Sequence, residues 1–468
     1  MDYTLEQQTI INSTSNDICV NAGPGMGKTH LLLGIAEKHN NGTKGLLCFN
    51  APIRKEITQK ANKNNIDLIE INTFHSLAFN TLKRRGDINE FSRRNFENPL
   101  DYFSMLDIMR KLNFEFINSN TINTYLNAIK SFCKSDKTFK DYFSIYFTEF
   151  KDDIRKILNY LFNDPKAPMF HEVYIKVYQL ILQDEKHKHY DCLMIDEFQD
   201  VSSCYLSIIN NITAKKTIRV GDTLQKIYGY NGALGMNQHN FRLSQSFRIG
   251  QCTADICNKL IDTFIDNPDL HMKGVNQKQK IGTIYDSEKK TIIFRTNKGL
   301  IERLVKESQT RKKCMVSESL YNELQHIYKL VNVSIFYPYI YRGIKFTSKE
   351  MLYEWYEKSK NSTLKKTIEF IETYKDRAMY VVYDILKCLV TDEKEADIYL
   401  TTTHRSKGLE FENVEIADDF PTINELIKKM YDFEEYLDEV YILYVAITRS
   451  YGKLQLNRDL EHFINGGI

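Results

Sequence analysis

Short apolar runs, each closed by a polar or glycine-rich segment, alternate along this chain with longer stretches of helical spacing. The first run, Asp17-Ile-Cys-Val-Asn21, leads into Ala22-Gly-Pro-Gly-Met-Gly-Lys28-Thr29, and apolar character resumes at Leu31-Leu-Leu-Gly-Ile35. That order predicts a strand, a tight loop and a helix. Gly45-Leu-Leu-Cys-Phe49-Asn50 and Leu68-Ile-Glu-Ile-Asn72 read as two further buried strands. From about residue 76 to 185 helical spacing dominates and glycine disappears after Gly86, which predicts a helical insertion. Strands resume at Cys192-Leu-Met-Ile195 and Thr217-Ile-Arg-Val220, then at Thr291–Phe294, Ala396–Thr401 and Asn413–Ile416. A Lys-, Glu- and Tyr-rich stretch of helical periodicity separates the later ones. The pattern predicts an α/β protein with two parallel-sheet domains, each interrupted by a mainly helical insertion. Residues 1–75 and 186–243 would form the first domain, around an insertion at 76–185. Residues 244–300 and 396–468 would form the second, around a smaller insertion at 301–395.

Composition adds bounds. A chain of 468 residues exceeds one ordinary core, and 42 % hydrophobic with 26 % charged residues is globular rather than disordered. The net charge of +2 neither announces nor excludes a nucleic-acid partner, so any basic track must be local. Nine cysteines without a C-x-x-C pair favour free thiols over disulfides or a zinc site. No apolar run approaches the ~18 residues of a membrane span, and the first residues have no signal-peptide character. The expectation is a soluble, intracellular protein with no membrane partner.

Three segments carry chemistry. Gly23, Gly25 and Gly27 allow the loop to turn its N–H groups toward a phosphate, while Lys28 reaches the β/γ-phosphates and the Thr29 hydroxyl suits Mg²⁺. A bound nucleoside triphosphate with Mg²⁺ follows, and the resemblance given below implies that it is ATP. About 170 residues on, Leu193-Met-Ile195-Asp196-Glu197-Phe-Gln199-Asp200 delivers two carboxylates at a strand tip. Asp196 would hold the metal with Thr29, and Glu197 would act as general base on water. In Val220-Gly-Asp222-Thr-Leu-Gln225-Lys-Ile-Tyr228-Gly-Tyr230, Gln225 can sense a γ-phosphate and the tyrosines offer faces to bases. The tyrosines also read as core packing.

With these segments in order, the chain resembles the UvrD/Rep-type superfamily 1 DNA helicases over nearly its whole length. The likeness extends to Thr4-Leu5-Glu6-Gln7, Phe49-Asn50, Thr73-Phe74-His75-Ser76 and Leu243-Ser-Gln245-Ser-Phe247-Arg248. It continues at Thr403-His404-Arg405-Ser406-Lys407-Gly408-Leu409-Glu410-Phe411 and Leu443-Tyr444-Val445-Ala446-Ile447-Thr448-Arg449. Its wording is similar to the F-box DNA helicases, yet with only three residues before the first motif the expectation is that no F-box is present; a viral or mobile-element helicase fits equally. The resemblance implies two RecA-like motor domains and 3′ to 5′ movement on single-stranded or tailed duplex DNA in repair, recombination or replication. It places Gln7, His30, Phe247, Gly408 and Glu410 at the nucleotide and assigns Arg248 and Arg449 to the γ-phosphate as arginine fingers. Phe49, Asn50, Thr73, Phe74, His75, Tyr228, Tyr230 and His404 would line the strand. Phe49 and Phe74 also read as core aromatics, and His75 or His404 as loop pins. Asn231 and Ala51 stand where the family usually has arginine and lysine, which weakens the DNA track. A strand-dependent ATPase that strips or remodels protein–DNA complexes without unwinding is the rival expectation.

Overall fold

The computed structural model describes residues 2–39, 42–66, 69–87, 100–164, 166–184, 189–227, 235–236, 238–431 and 436–466. Two compact units divide the chain, Met1–Leu243 and Ser244–Ile468.

The first unit is built on β1 (Asp17–Ala22), β2 (Lys44–Cys48), β3 (Ile69–Thr73), β4 (His189–Ile195), β5 (Thr213–Gly221) and β6 (Phe241–Leu243). They form one parallel sheet in the order β3-β2-β4-β5-β1-β6. Burial runs the length of β2 and most of β1 and β4, as expected where helices cover both faces. Between β3 and β4 lie the helices Phe74–Arg85, Tyr102–Lys111, Ser119–Lys134, Lys151–Asn163 and His171–Asp184. The first and last of these are not separate from the sheet. Phe74, Leu77 and Leu82 share one apolar cluster with Tyr174, Tyr178 and Leu182 and with Leu193 and Ile195 of β4.

The second unit contains β7 (Gln245–Ser246), β8 (Lys273–Gly274), β9 (Lys280–Ile281), β10 (Lys290–Phe294) and β11 (Cys314–Met315). It continues with β12 (Tyr339–Tyr341), β13 (Ile344–Phe346), β14 (Ile398–Thr402), β15 (Phe411–Ile416) and β16 (Ser450–Gln455). A second parallel sheet has the order β11-β14-β10-β15-β16-β9, and β12 pairs with β13 as an antiparallel hairpin. β11 falls inside the stretch expected to be insertion, yet it pairs with β14. A two-residue strand is too short to show a period, so the helical spacing around it masked the sheet. Lys290 on the buried β10 pairs with Glu415 at 2.6 Å.

Candidate functional site

In the first unit the chain leaves β1 and turns through Gly25 (φ 67°) and Gly27 (φ 82°) into the helix Lys28–Lys38. Gly27 is required twice over. Its left-handed backbone disfavours any side chain, and a Cβ there would lie 2.7 Å from Gln7 Nε2. The Met26 thioether accepts the Gly23 N–H at 2.9 Å, closing the loop on itself. The helix has no side-chain cap, so its leading amides and dipole face the loop as an anion seat. Lys28 Nζ donates to the carbonyls of Ala22 (3.2 Å) and Gly23 (3.4 Å) and stands 3.8 Å from Glu197 Oε1. Gln7 is buried in a capping box: its Oε1 accepts the Thr4 N–H at 3.1 Å while Thr4 Oγ1 accepts the Gln7 N–H at 3.2 Å. Thr29 is half-buried. The His30 ring packs on Tyr3 at 4.7 Å, with Nε2 3.1 Å from the Asp2 carbonyl oxygen.

β4 delivers Asp196, buried, and Glu197, whose backbone is left-handed at φ 52°. That turn lets Asp196 Oδ1 accept the Glu197 N–H at 3.0 Å. Burial, then repulsion from Glu197, pushes the Asp196 carboxyl well up, with Lys28 opposing. The sequence reading missed a positioning residue here, Gln199, although the Phe-Gln-Asp that follows the carboxylates marks it. Its Nε2 donates to Glu197 Oε2 at 2.5 Å and its Oε1 accepts the Asp222 N–H at 3.0 Å. Asp222 in turn accepts from Gln225 Nε2 (2.8 Å) and the Leu224 N–H (2.9 Å), and burial raises its pKa. One hydrogen-bonded chain thus links Gln225, Asp222, Gln199 and Glu197, with Lys28 at its end. Thr29 and Asp196 are hard oxygen donors of the kind Mg²⁺ takes, and a dication there would offset the burial that disfavours the charged Asp196 carboxylate.

The residues expected at a strand meet different fates. Phe49 is half-buried, with Phe74 at 5.7 Å and Tyr205 at 6.0 Å, both edge-on. Phe74 is only 2 % exposed and stacks on Tyr205 at 4.5 Å, so this ring is core rather than a face for bases. Asn50 and Thr73 cap helices, accepting the N–H groups of Ile53 and Ser76 at 2.9 Å. His75 is pinned between the hydroxyls of Tyr174 (2.9 Å) and Tyr205 (3.2 Å). Burial, with His171 adding, lowers its pKa to about 4. Tyr228, Tyr230 and Asn231 lie outside the described residues.

In the second unit Phe247 is 51 % exposed. Arg248 donates to Glu410 Oε2 from Nε and Nη2, both at 2.9 Å, and from Nη1 to the Thr448 carbonyl at 3.4 Å. Gly408 is left-handed at φ 82°, and Glu410 is exposed. His404 is half-buried in the short helix Thr403–Ser406. Arg449, expected at a phosphate, is 1 % exposed. Its guanidinium donates to the carbonyls of Val445 (2.9 Å) and Leu409 (3.2 Å) and to Thr448 Oγ1 (3.3 Å). In this conformation Arg449 therefore buttresses its own unit. All nine cysteines are free thiols, and among the described residues no helix is long and apolar enough to cross a membrane.

Residues 3–246, just over half of the chain, match the model of the UvrD/REP helicase N-terminal domain, and the chain belongs to that family. Residues 174–325 also match the viral superfamily 1 RNA helicase core domain. Among curated proteins the chain is 25 % identical to F-box DNA helicase 1 of Gallus gallus, over 98 % of its own length and 49 % of that protein's. It is 24 % identical to F-box DNA helicase protein 1 of Schizosaccharomyces pombe, over 97 % and 57 %. The ATP-dependent DNA helicase PcrA of Staphylococcus aureus is 24 % identical over 55 % of this chain and 39 % of its own. The chain spans about half the length of the F-box relatives it matches.

Proposed function

We propose that the protein is an ATP-dependent DNA helicase that moves along single-stranded DNA, 3′ to 5′, in repair, recombination or replication. The observation that carries this reading is the placement of Lys28 3.8 Å from Glu197, with the glycine loop beneath the lysine and Gln199 holding the carboxylate. Lys28 binds and neutralises the phosphates. Glu197, oriented by Gln199, takes a proton from the attacking water. Thr29 and Asp196 would hold Mg²⁺, which supplies charge neutralisation on the phosphate oxygens. Gln225, tied to Asp222, relays the state of the site toward the segment that carries Tyr228 and Tyr230. Arg248 and Arg449 act on the transferred phosphoryl group, which requires each to exchange the acceptors it holds here. Gln7, His30, Phe247 and Glu410 recognise the nucleoside.

The resemblance to proteins named DNA helicases supports DNA as the polymer. A second reading, a strand-dependent ATPase that remodels protein–DNA complexes, draws on the burial of Phe74 and the capping roles of Asn50 and Thr73. Strand displacement on 3′-tailed, 5′-tailed and forked duplexes separates the two. Displacement of the 3′-tailed and forked duplexes alone is expected. ATP turnover stimulated by single strands with no displacement favours the remodeller, and turnover indifferent to DNA overturns both.

A further inference from the structure

Two of the free thiols meet in the second unit. Cys314 opens β11 and is fully buried, while Cys388 ends the helix Ala378–Cys388 and is half-buried. β11 is tied to the chain that leaves that helix. Cys314 bridges to Leu389 in parallel register, and the Val390 N–H donates to the Cys314 carbonyl at 2.8 Å. Both cysteines pack in one apolar cluster, where the Cys314 thiol faces the Cys388 sulfur within hydrogen-bonding reach. Cys388 Sγ donates in turn to the Ile385 carbonyl at 3.1 Å.

Core packing accounts for Cys314, since a thiol is a small apolar group. It leaves unexplained a second, more accessible thiol turned onto the first. The contact is also unequal. Accepting from Cys314 lowers the Cys388 pKa against the burial that raises it, with Glu307 and Asp384 also opposing. The same contact, then burial, pushes the Cys314 thiol well up. Cys388 is therefore both the easier to reach and the easier to ionise. Between the two sulfurs run the helix Glu318–Val331, the β12–β13 hairpin and the helices Lys349–Ser359 and Ser362–Tyr374. A bond from Cys314 to Cys388 would close a ring over residues 314–388 at the β11 edge of the second sheet.

We propose that Cys388 and Cys314 form a peroxide-sensitive dithiol whose disulfide fastens both ends of this stretch to the sheet edge. Cys388 reacts first. Its sulfur takes one hydroxyl of hydrogen peroxide, the O–O bond breaks, and the other hydroxyl leaves as water with the thiol proton. The Cys314 sulfur then attacks the Cys388 sulfenic acid, the S–O bond breaks, and the hydroxyl leaves as water with the Cys314 proton. The two thiols together lose two electrons, which reduce one peroxide to two waters. A small dithiol reverses the bond by exchange. The inference stands apart from the DNA reading above.

The test is a non-reducing tryptic map of the full chain after a limiting dose of hydrogen peroxide. Trypsin cuts after Lys313 and Lys387, so the two cysteines begin separate peptides. Those peptides are expected to be found joined, short of two hydrogens, and to separate in dithiothreitol. Cys252 is exposed and gauges oxidation by exposure alone; it should remain open to alkylation. Cys314→Ala should leave Cys388 as a sulfenic acid that dimedone captures, and Cys388→Ala should leave Cys314 a thiol. The oxidised parent should melt about 5 °C or more above the reduced one, because the ring constrains the unfolded chain, and neither variant should show the gain. The proposal is overturned by the absence of a joined peptide, by Cys388 joined to another cysteine, or by Cys252 oxidised ahead of the pair. A joined chain that melts like the reduced one overturns it as well. The map of the parent decides the pairing even where a variant fails to fold.

Discussion

Replacing Gln199 with alanine breaks two bonds at once and offers a sharp examination of the site. The Asp222 N–H, which now donates to Gln199 Oε1 at 3.0 Å, would be left buried without an acceptor. That costs about 1–3 kcal/mol of stability. Glu197 would lose a charge-assisted bond of 2.5 Å, worth about 1.5–3 kcal/mol. Lys28, 3.8 Å away, would then pull the carboxylate toward the loop. If the Gln199 bond persists into the transition state, turnover should fall ~10- to 100-fold, at about 1.4 kcal/mol per decade. The Michaelis constant for ATP should barely move, because the glycine loop and Lys28 are untouched. Steady-state ATP hydrolysis with saturating single strands reads the first effect, and a thermal melt lower by roughly 2–4 °C per kcal/mol reads the second. Gly221→Ala is an independent check, since its Cβ would lie 2.5 Å from Gln199 Oε1 and displace the same carboxamide. A Gln199→Ala enzyme turning over within twofold of the parent would refute the positioning role.

Three further outcomes are expected. Glu197→Gln should bind ATP yet lose ~10²-fold or more in turnover, and loss of nucleotide binding would instead mark Glu197 as structural. Arg449→Ala should cost about 1.5–3 kcal/mol in denaturant unfolding, because the buried guanidinium that ties the Val445 and Leu409 carbonyls together is lost. Arg248→Ala, whose partner Glu410 is exposed, should cost under ~1 kcal/mol, and equal losses would contradict the buttress. His75 has a folded pKa of about 4, below the ordinary 6.5, so the unfolded chain binds its proton first as pH falls. Stability should therefore drop from pH 6.5 downward, by about 3 kcal/mol in all once below pH 4. Urea unfolding at pH 7 and 4.5 should show this step in the parent and lose it in His75→Gln; an undiminished step would exonerate the histidine.

What could be read from the residues alone was local. β1, the glycine loop and the following helix are contiguous, so their order was visible, and so was the apolar run of β4 ending in Asp196-Glu197. The central strands declared themselves because burial on both faces enforces continuous apolar runs. Two-residue strands such as β9 and β11 carry no period and stayed hidden. Motif position also said nothing of how each side chain spends its hydrogen bonds. Thr73 and Asn50 stood in segments resembling strand contacts, but their side chains serve helix ends, and Phe74 turns into the core. Arg449 is the clearest case: its place near the end of an apolar helix was legible, while its bond to the Leu409 carbonyl, 40 residues away in sequence, is one that only tertiary structure reveals.

The order of strands in the first sheet bears on how the protein is made. β1 lies between β5 and β6, so Asp17 pairs opposite Thr217 and Val20 opposite Phe241. Neither neighbour exists until some 200 residues after β1 have been synthesised. At 5–20 residues per second, the strand that carries the phosphate loop waits about 10–40 s with no partner on either edge. A nascent chain halted before residue 213 would have the lysine and the glycines yet no seat for a nucleotide, and its apolar β1 would be open to chaperones or to other chains. Ribosome-bound intermediates stalled on either side of β5 should therefore differ abruptly in protease resistance around Ala22. Slow codons placed upstream of Thr213 would lengthen the vulnerable interval without altering a single residue of the finished protein.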